Sequence, residues 1–250
     1  MKGRISIYLR SIPLAWLLAL GVAVPTIASF AQTTSNLADP KLKANASIAQ
    51  HDRPGPPITQ LLVEAHAKAQ SRGVSWKGLD FVVTDTPAAS PAPIETVLLQ
   101  VYQKQACQAD AIIVGHPIAS AYHLSSSGTS VYGDYIVAID TLLKDNQASS
   151  IRLRSDIIVT RPGGSLSLPE GNVNLELLAF PRLQVNVTYF QYLRYIQQSG
   201  AYQAIDDLST LVADGNRWAI TRKGFSNVVI PGFTRPSLEA SISKSLTSCK

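Results

Sequence analysis

The sequence has little sulfur and little charge. Of 250 residues, two are cysteine, Cys107 and Cys249, and one is methionine. Two cysteines that far apart exclude a Cys-x-x-Cys redox pair and any four-thiolate zinc centre. Charged residues make up 16% of the chain, so it carries none of the charge-dense tracts that keep a polypeptide unfolded. Nucleotide-binding signatures are missing as well, with no Gly-x-Gly-x-x-Gly turn and no Walker loop. No Gly-x-Ser-x-Gly elbow exposes a nucleophilic serine. No internal repeat of fixed period is present, which removes solenoids and propellers.

The chain reads instead as a globular domain behind an address label. Lys2, Arg4 and Arg10 precede an apolar run from Ile12 to Val24, and Ser29-Phe30-Ala31 supplies the small residues of a cleavage site before Gln32. Residues 1–31 are therefore expected to be a secretory signal peptide. An uncleaved anchor is the competing reading, because residues 11–31 carry no charge. The small-residue end and the prolines Pro13 and Pro25 favour cleavage. Losing three basic residues brings the net charge from +5 to about +2, which removes most of the argument for nucleic acid as a partner. In an exported chain two cysteines suggest one disulfide, Cys107 to Cys249, with two separately buried thiols as the alternative.

Residues 32–56 are rich in Thr, Ser, Asn, Ala and Pro without an apolar period, and read as a flexible tether. Asn45-Ala-Ser47 and Asn186-Val-Thr188 match the glycosylation sequon, which matters only in a host that glycosylates. Residues 57–106 form a helical lead-in. A first helix starts at Pro57 with Ile58, Leu61, Leu62 and Ala65 on one stripe and stops at Gly73. Val74 to Trp76 and Leu79 to Val83 look extended, and a second helix runs from about Pro93 to Ala106.

From residue 107 to 250 the pattern is strand-like, with a closing helix over Ser237 to Leu246 in which Ser237 is the expected N-cap. Ala111 to Leu124, Val131 to Leu143, Ile151 to Thr160, Val187 to Ile196 and Ala201 to Ile205 are the main strands, with shorter ones between and after them. Gly115 and Pro117 inside the first mark a bend. Arg161-Pro-Gly-Gly164 reads as a strand-ending turn, with an anion held by its backbone amides as the rarer alternative. The intervals are too short for crossover helices, so the fold class is α+β, mainly antiparallel β: a closed barrel with flanking N-terminal and C-terminal helices.

The order Cys107, Ala109-Asp-Ala-Ile-Ile-Val-Gly115, Tyr135-Ile-Val-Ala-Ile-Asp-Thr-Leu-Leu-Lys144, Ile157-Ile-Val-Thr160 and Tyr189-Phe-Gln-Tyr-Leu193 resembles the netrin-like family, which includes the tissue inhibitors of metalloproteinases. The resemblance spans about residues 107–205 and implies an OB-like, netrin-like barrel. Those inhibitors chelate a protease zinc through an N-terminal cysteine, and Cys107 lies far from any N-terminus, so the mechanism does not transfer.

Candidate chemistry is thin. His116 and His123 sit at an odd offset, which puts them on opposite faces of a straight strand; a bulge at Gly115 leaves that unchanged, whereas one at Pro117 would repair it. His116 is expected as a surface or bend histidine, and an acidic partner across a cleft is the observation that would favour an enzyme. Asp134, Asp140, Glu176, Asp206 and Asp207 are scattered. Tyr189, Tyr192, Arg194, Tyr195 and Tyr202 cluster around one hairpin, where they either form a stacking platform for a carbohydrate or protein or fill the core. The expected function is an exported, non-catalytic binding or protein-interaction module, secreted or periplasmic, with no cofactor and no metal. It would meet a membrane only through an uncleaved signal peptide. A secreted hydrolase with an unrecognised site and an envelope structural component are the alternatives.

Overall fold

The computed structural model describes residues 52–73, 81–85, 95–145, 151–153, 155–177, 179–206, 208–220, 228–229 and 233–249. The expected signal peptide and all but the end of the expected tether lie outside them.

Three helices and eleven strands are described. Helix α1 (Ile58–Ser71) follows Pro57 and buries Ile58 and Leu62 on one side. Strand β1 (Phe81–Asp85) and helix α2 (Glu95–Gln108) come next. The long hairpin β2 (Ala111–Leu124) and β3 (Val131–Asp145) leads to β4 (Asp156–Pro162), β5 (Gly164–Leu168) and β6 (Gly171–Leu177). Then follow β7 (Tyr189–Ile196), β8 (Ala201–Ala204), β9 (Thr210–Asp214), β10 (Arg217–Ile220), β11 (Val228–Val229) and helix α3 (Arg235–Leu246).

Strands β7, β2, β3, β4 and β8 hydrogen-bond in that order, and β8 pairs back onto β7. The result is a closed five-stranded barrel. Its pairs are antiparallel except β4 with β8, which run parallel through Val159–Tyr202 and Thr160–Gln203. Strands β9, β10 and β11 extend the sheet beyond β7. A second sheet, which the sequence pattern did not reveal, has the order β1-β6-β5, with β1 parallel to β6. The connection between the sheets is short: Arg161 and Pro162 still belong to β4, and Gly163 and Gly164 turn the chain at φ +99° and +153°. A Cβ at Gly164 would stand 2.3 Å from the Tyr122 ring, so only glycine fits that crossing.

Alternation along the strands sorts the core. Ala111, Ile113, Tyr135, Val137, Ile139, Val159, Leu193 and Tyr202 point into the barrel. Ile112, Val114, Phe190, Tyr192, Leu211 and Trp218 point out, where α2 (Leu98, Tyr102, Ala106) and α3 (Leu238, Ile242) cover them. Each Val, Leu, Ile or Phe among them, fully buried, stabilises the fold by about 1.5–3 kcal/mol. Cys107, at the end of α2, is bonded to Cys249, just beyond α3, so the two covering helices are tied together. Lys144 donates from Nζ to the carbonyls of Ala106 (2.9 Å) and Cys107 (3.1 Å), which satisfies the C-terminal end of α2.

Three expectations are corrected in detail. The N-cap of α3 is Thr234, whose hydroxyl accepts from the Ser237 amide; Pro236 lies in the first turn, where its missing N–H leaves no bond unmade. The strand expected from Ile151 starts at Asp156, because the amide and the hydroxyl of Ser155 both donate to the Arg152 carbonyl and not to a neighbouring strand. The end of the expected tether is docked on the protein. Asp52 accepts from Tyr132 Oη and Ser127 Oγ, both at 2.7 Å, and the Arg53 amide donates to Ser130 Oγ at 2.7 Å. The chain passes around the tip of the β2–β3 hairpin, and α1 then packs on Val131, Val173 and Leu175.

Candidate functional site

Strand β2 carries both histidines and is bulged at three places, one of them between Pro117 and Ala119. That bulge repairs the parity: His116 pairs with Ala138 and His123 with Tyr132, so both histidines face the outside of the barrel. Six residues of β3 separate those register partners, about 20 Å at strand rise, so the two imidazoles cannot share a ligand. Among the described residues no group of His, Cys, Asp or Glu is arranged to hold a metal.

Each histidine has a carboxylate on the neighbouring strand. His116 Nδ1 is 3.1 Å from Asp140 Oδ2, with the side chains 32% and 45% exposed. This is an acidic partner, but a cross-strand one on an open sheet surface and not one across a cleft. His123 is more enclosed. Its Nδ1 lies 2.9 Å from the Leu124 carbonyl and its Nε2 lies 3.2 Å from Asp134 Oδ2. Asp134 in turn accepts from Thr160 Oγ1 at 2.5 Å. Burial pulls the His123 pKa down, but Asp134 and the Leu124 carbonyl outweigh it and hold the imidazole above its ordinary value. The imidazole is thus hydrogen-bonded through Nδ1 to the Leu124 carbonyl, while Nε2 stands beside the Asp134 carboxylate without hydrogen-bond geometry.

The tyrosines expected at a platform are dispersed. Tyr192 is fully buried and stacks on Tyr102 under α2, with centroids 5.8 Å apart. Tyr202 is buried inside the barrel against half-buried Tyr195, and Arg194 is exposed on the other face of the strand. Tyr189 is buried on the inner face. The core reading therefore describes Tyr189, Tyr192 and Tyr202; no single surface presents all five residues.

Tyr189 leads to a different site. Inside the barrel, at the end where β8 stops, the guanidinium of Arg161 is buried (3% exposed). Arg161 Nη1 donates to Thr210 Oγ1 on β9 at 2.5 Å, and Cζ stands 5.7 Å from the centre of the Phe180 ring. Gln191 is the register partner of Thr210, so its side chain lies beside it on the same inner face. Gln191 is 0% exposed, and among the described residues neither its Nε2 nor its Oε1 makes a hydrogen bond; the same is true of Arg161 Nε.

Arg161 has no carboxylate partner among the described residues. The charges that bear on it are the phenols of Tyr135 and Tyr189, and burial pushes both phenols above their ordinary range. They stay neutral and offer dipoles only. A second guanidinium, that of Arg182, also bears on Tyr135; it lies over the Tyr122 ring at 5.7 Å and donates to Asn174 Oδ1. This end of the barrel is thus cationic and aromatic. A buried guanidinium keeps its proton and carries several kcal/mol of desolvation penalty unless an anion or several good acceptors offset it.

The strand alternation holds a signal for this site. Ile157, Val159 and Arg161 share one face of β4, and Tyr189, Gln191 and Leu193 share one face of β7, so a strict two-residue period sends Arg161 and Gln191 inward. Reading residues 161–164 as a turn hid the first of them.

The fold defines a class: α+β, with a closed, mainly antiparallel five-stranded barrel and flanking helices, compatible with the OB type. No protein-family model matches the chain, and no curated protein matches it.

Proposed function

We propose that this protein is an exported, non-catalytic binding module built on a netrin-like barrel, with its ligand seat at the Arg161 end of that barrel. The observation that carries the reading is a buried guanidinium without a carboxylate partner among the described residues, linked through Thr210 to a buried amide that makes no hydrogen bond among them. Buried polar groups left open in a folded protein are satisfied by water or by a ligand. The histidines argue for binding over turnover, since they stand far apart: His123 is bonded through Nδ1 to the Leu124 carbonyl beside Asp134, and His116 lies on the outer surface beside Asp140. A Cys107–Cys249 bond and the basic-then-apolar start of the chain support export. The netrin-like assignment is supported by the barrel topology and by Cys107 opening the barrel half of the chain.

The test combines fractionation with a substrate panel. Expression with the full leader should yield a chain beginning at Gln32 outside the cytoplasm, and the purified protein should leave chromogenic ester, phosphate and glycoside substrates intact. Turnover that disappears in His116→Ala or His123→Gln would make the protein an enzyme and end the binding-module reading.

A further inference from the structure

We propose that the Arg161 end of the barrel binds a small monocarboxylate, held between the Nε–H of Arg161 and the side-chain amide of Gln191. The inference rests on the binding-module reading and names its ligand class.

Charge sets the first limit. The buried seat holds the Arg161 guanidinium and, among the described residues, no carboxylate; half-buried Arg182, at the same end, is already engaged by Asn174 Oδ1 and the Tyr122 ring. One negative charge balances Arg161, whereas a phosphate at neutral pH would leave an excess of buried charge. Shape sets the second. Nη1 is engaged by Thr210, and Nε remains open on the other side of the planar group. Guanidinium and carboxylate are both planar forks and match in two parallel hydrogen bonds, which a spherical ion such as chloride does not reproduce. Donors and acceptors set the third. Whichever way the Gln191 amide is turned, it offers one open N–H₂ group next to Thr210, the residue that receives Arg161 Nη1, so a carboxylate reaching from Nε past Thr210 has a second donor.

The surroundings of the two open groups are apolar and aromatic, as the carbon end of a small organic acid requires. Tyr189, Val212 and Phe180 are apolar or aromatic surfaces on the same inner side. Phe180 begins the segment Phe180–Thr188 that leads into β7, and this segment lies over the seat: Tyr189 Oη accepts from the Gln184 amide at 2.9 Å, and the Asn186 amide donates to the Pro117 carbonyl at 2.9 Å. The segment is anchored further by the Ala213 amide on the Thr188 carbonyl, by Arg182 on Asn174 Oδ1 and by Leu183 buried in the barrel core.

The experiment uses the mature full chain and sodium acetate as the probe, against sodium chloride and sodium phosphate at matched ionic strength. Acetate should raise the melting temperature in a saturable way, by about 5–10 °C at one hundred times its Kd. Arg161→Met should lose that response. It should still fold, because an apolar side chain of similar length replaces an unpaired buried charge. Gln191→Glu supplies the missing carboxylate from the protein itself, so it should melt above the wild type in acetate-free buffer and ignore acetate. If either variant fails to fold, saturation transfer from the wild-type protein to acetate methyl protons, competed by formate, reads the same site. Equal stabilisation by chloride or phosphate would overturn the carboxylate class while leaving the seat in place. No response to any of the three anions, with Arg161→Met as stable as the wild type or more so, would mean water alone fills the space and would remove the seat as well.

Discussion

The two faces of β7 are both buried, yet they differ in kind. On the outer face Phe190 and Tyr192 meet Trp218, Tyr102 and the two covering helices in an apolar, aromatic layer. On the inner face Tyr189, Gln191 and Leu193 alternate down the same strand, and the middle position sits beside an arginine. Apolar residues packed to crystal-like density explain themselves as stability. Buried polar groups without partners do not, because each left open costs about 1–3 kcal/mol. The outer face is therefore the part of the molecule that holds it together, and the inner end is the part with work left to do.

That contrast can be broken at several points. The largest effect is expected at the clasp on the outer side. Replacing Cys107 and Cys249 by serine opens a closure spanning 142 residues, worth about 5 kcal/mol in the chain-entropy model. Calorimetry should show a melting temperature lower by about 10–20 °C, and reductant should lower the wild type by a similar amount. Trp218→Ala should cost about 3–5 kcal/mol in a denaturant titration, since the ring is buried against Phe190. A loss under 1 kcal/mol there would mean that the helices do not rely on the outer layer. Thr234→Ala removes the N-cap of α3 and should cost about 1 kcal/mol by the same titration, with the barrel interior untouched.

The smallest effect concerns pH and lies away from both faces. The folded-state pKa of His123 is raised above its unfolded value of about 6.5, so its contribution is fully present below that pH. It fades as pH rises through the higher folded value. Stability followed across pH 5.5–8.5 should decline through that window in the wild type and flatten in His123→Gln. A slope of opposite sign would show that the Asp134 contact does not govern the imidazole.

Much of the fold was legible because two-residue alternation is a strong signal wherever strands have one apolar face. Strand β2 was bounded correctly at both ends, since an apolar run opens it at Ala111 and Ser125-Ser-Ser-Gly128 stops it after Leu124. The bend at Gly115 is real: a Cβ there would stand 2.4 Å from the Ala138 carbonyl oxygen. The second sheet was hidden because β1 and β6 pair across some ninety residues, and local pattern carries no information about such partners. The site was hidden for a related reason. Thr210 and Gln191 meet through the pairing of β9 with β7, and the curl of the barrel brings Arg161 of β4 to them. The tyrosines left platform and core open as readings because a strand buried on both faces is aromatic on both, and Tyr189, Tyr192 and Tyr202 are buried.

Barrel closure itself hangs on very little. Strand β4 meets β8 only through Val159–Tyr202 and Thr160–Gln203, and the next residue along β4 is Arg161. A latch of that length can loosen without unravelling the ladders on either side of it. Backbone amides along it should exchange with deuterium sooner than those of the β2–β3 hairpin, and each such opening would bring water to the edge of the guanidinium chamber. The molecule is, in that sense, a curled ribbon whose narrowest stitch lies next to its only fully enclosed cation among the described residues.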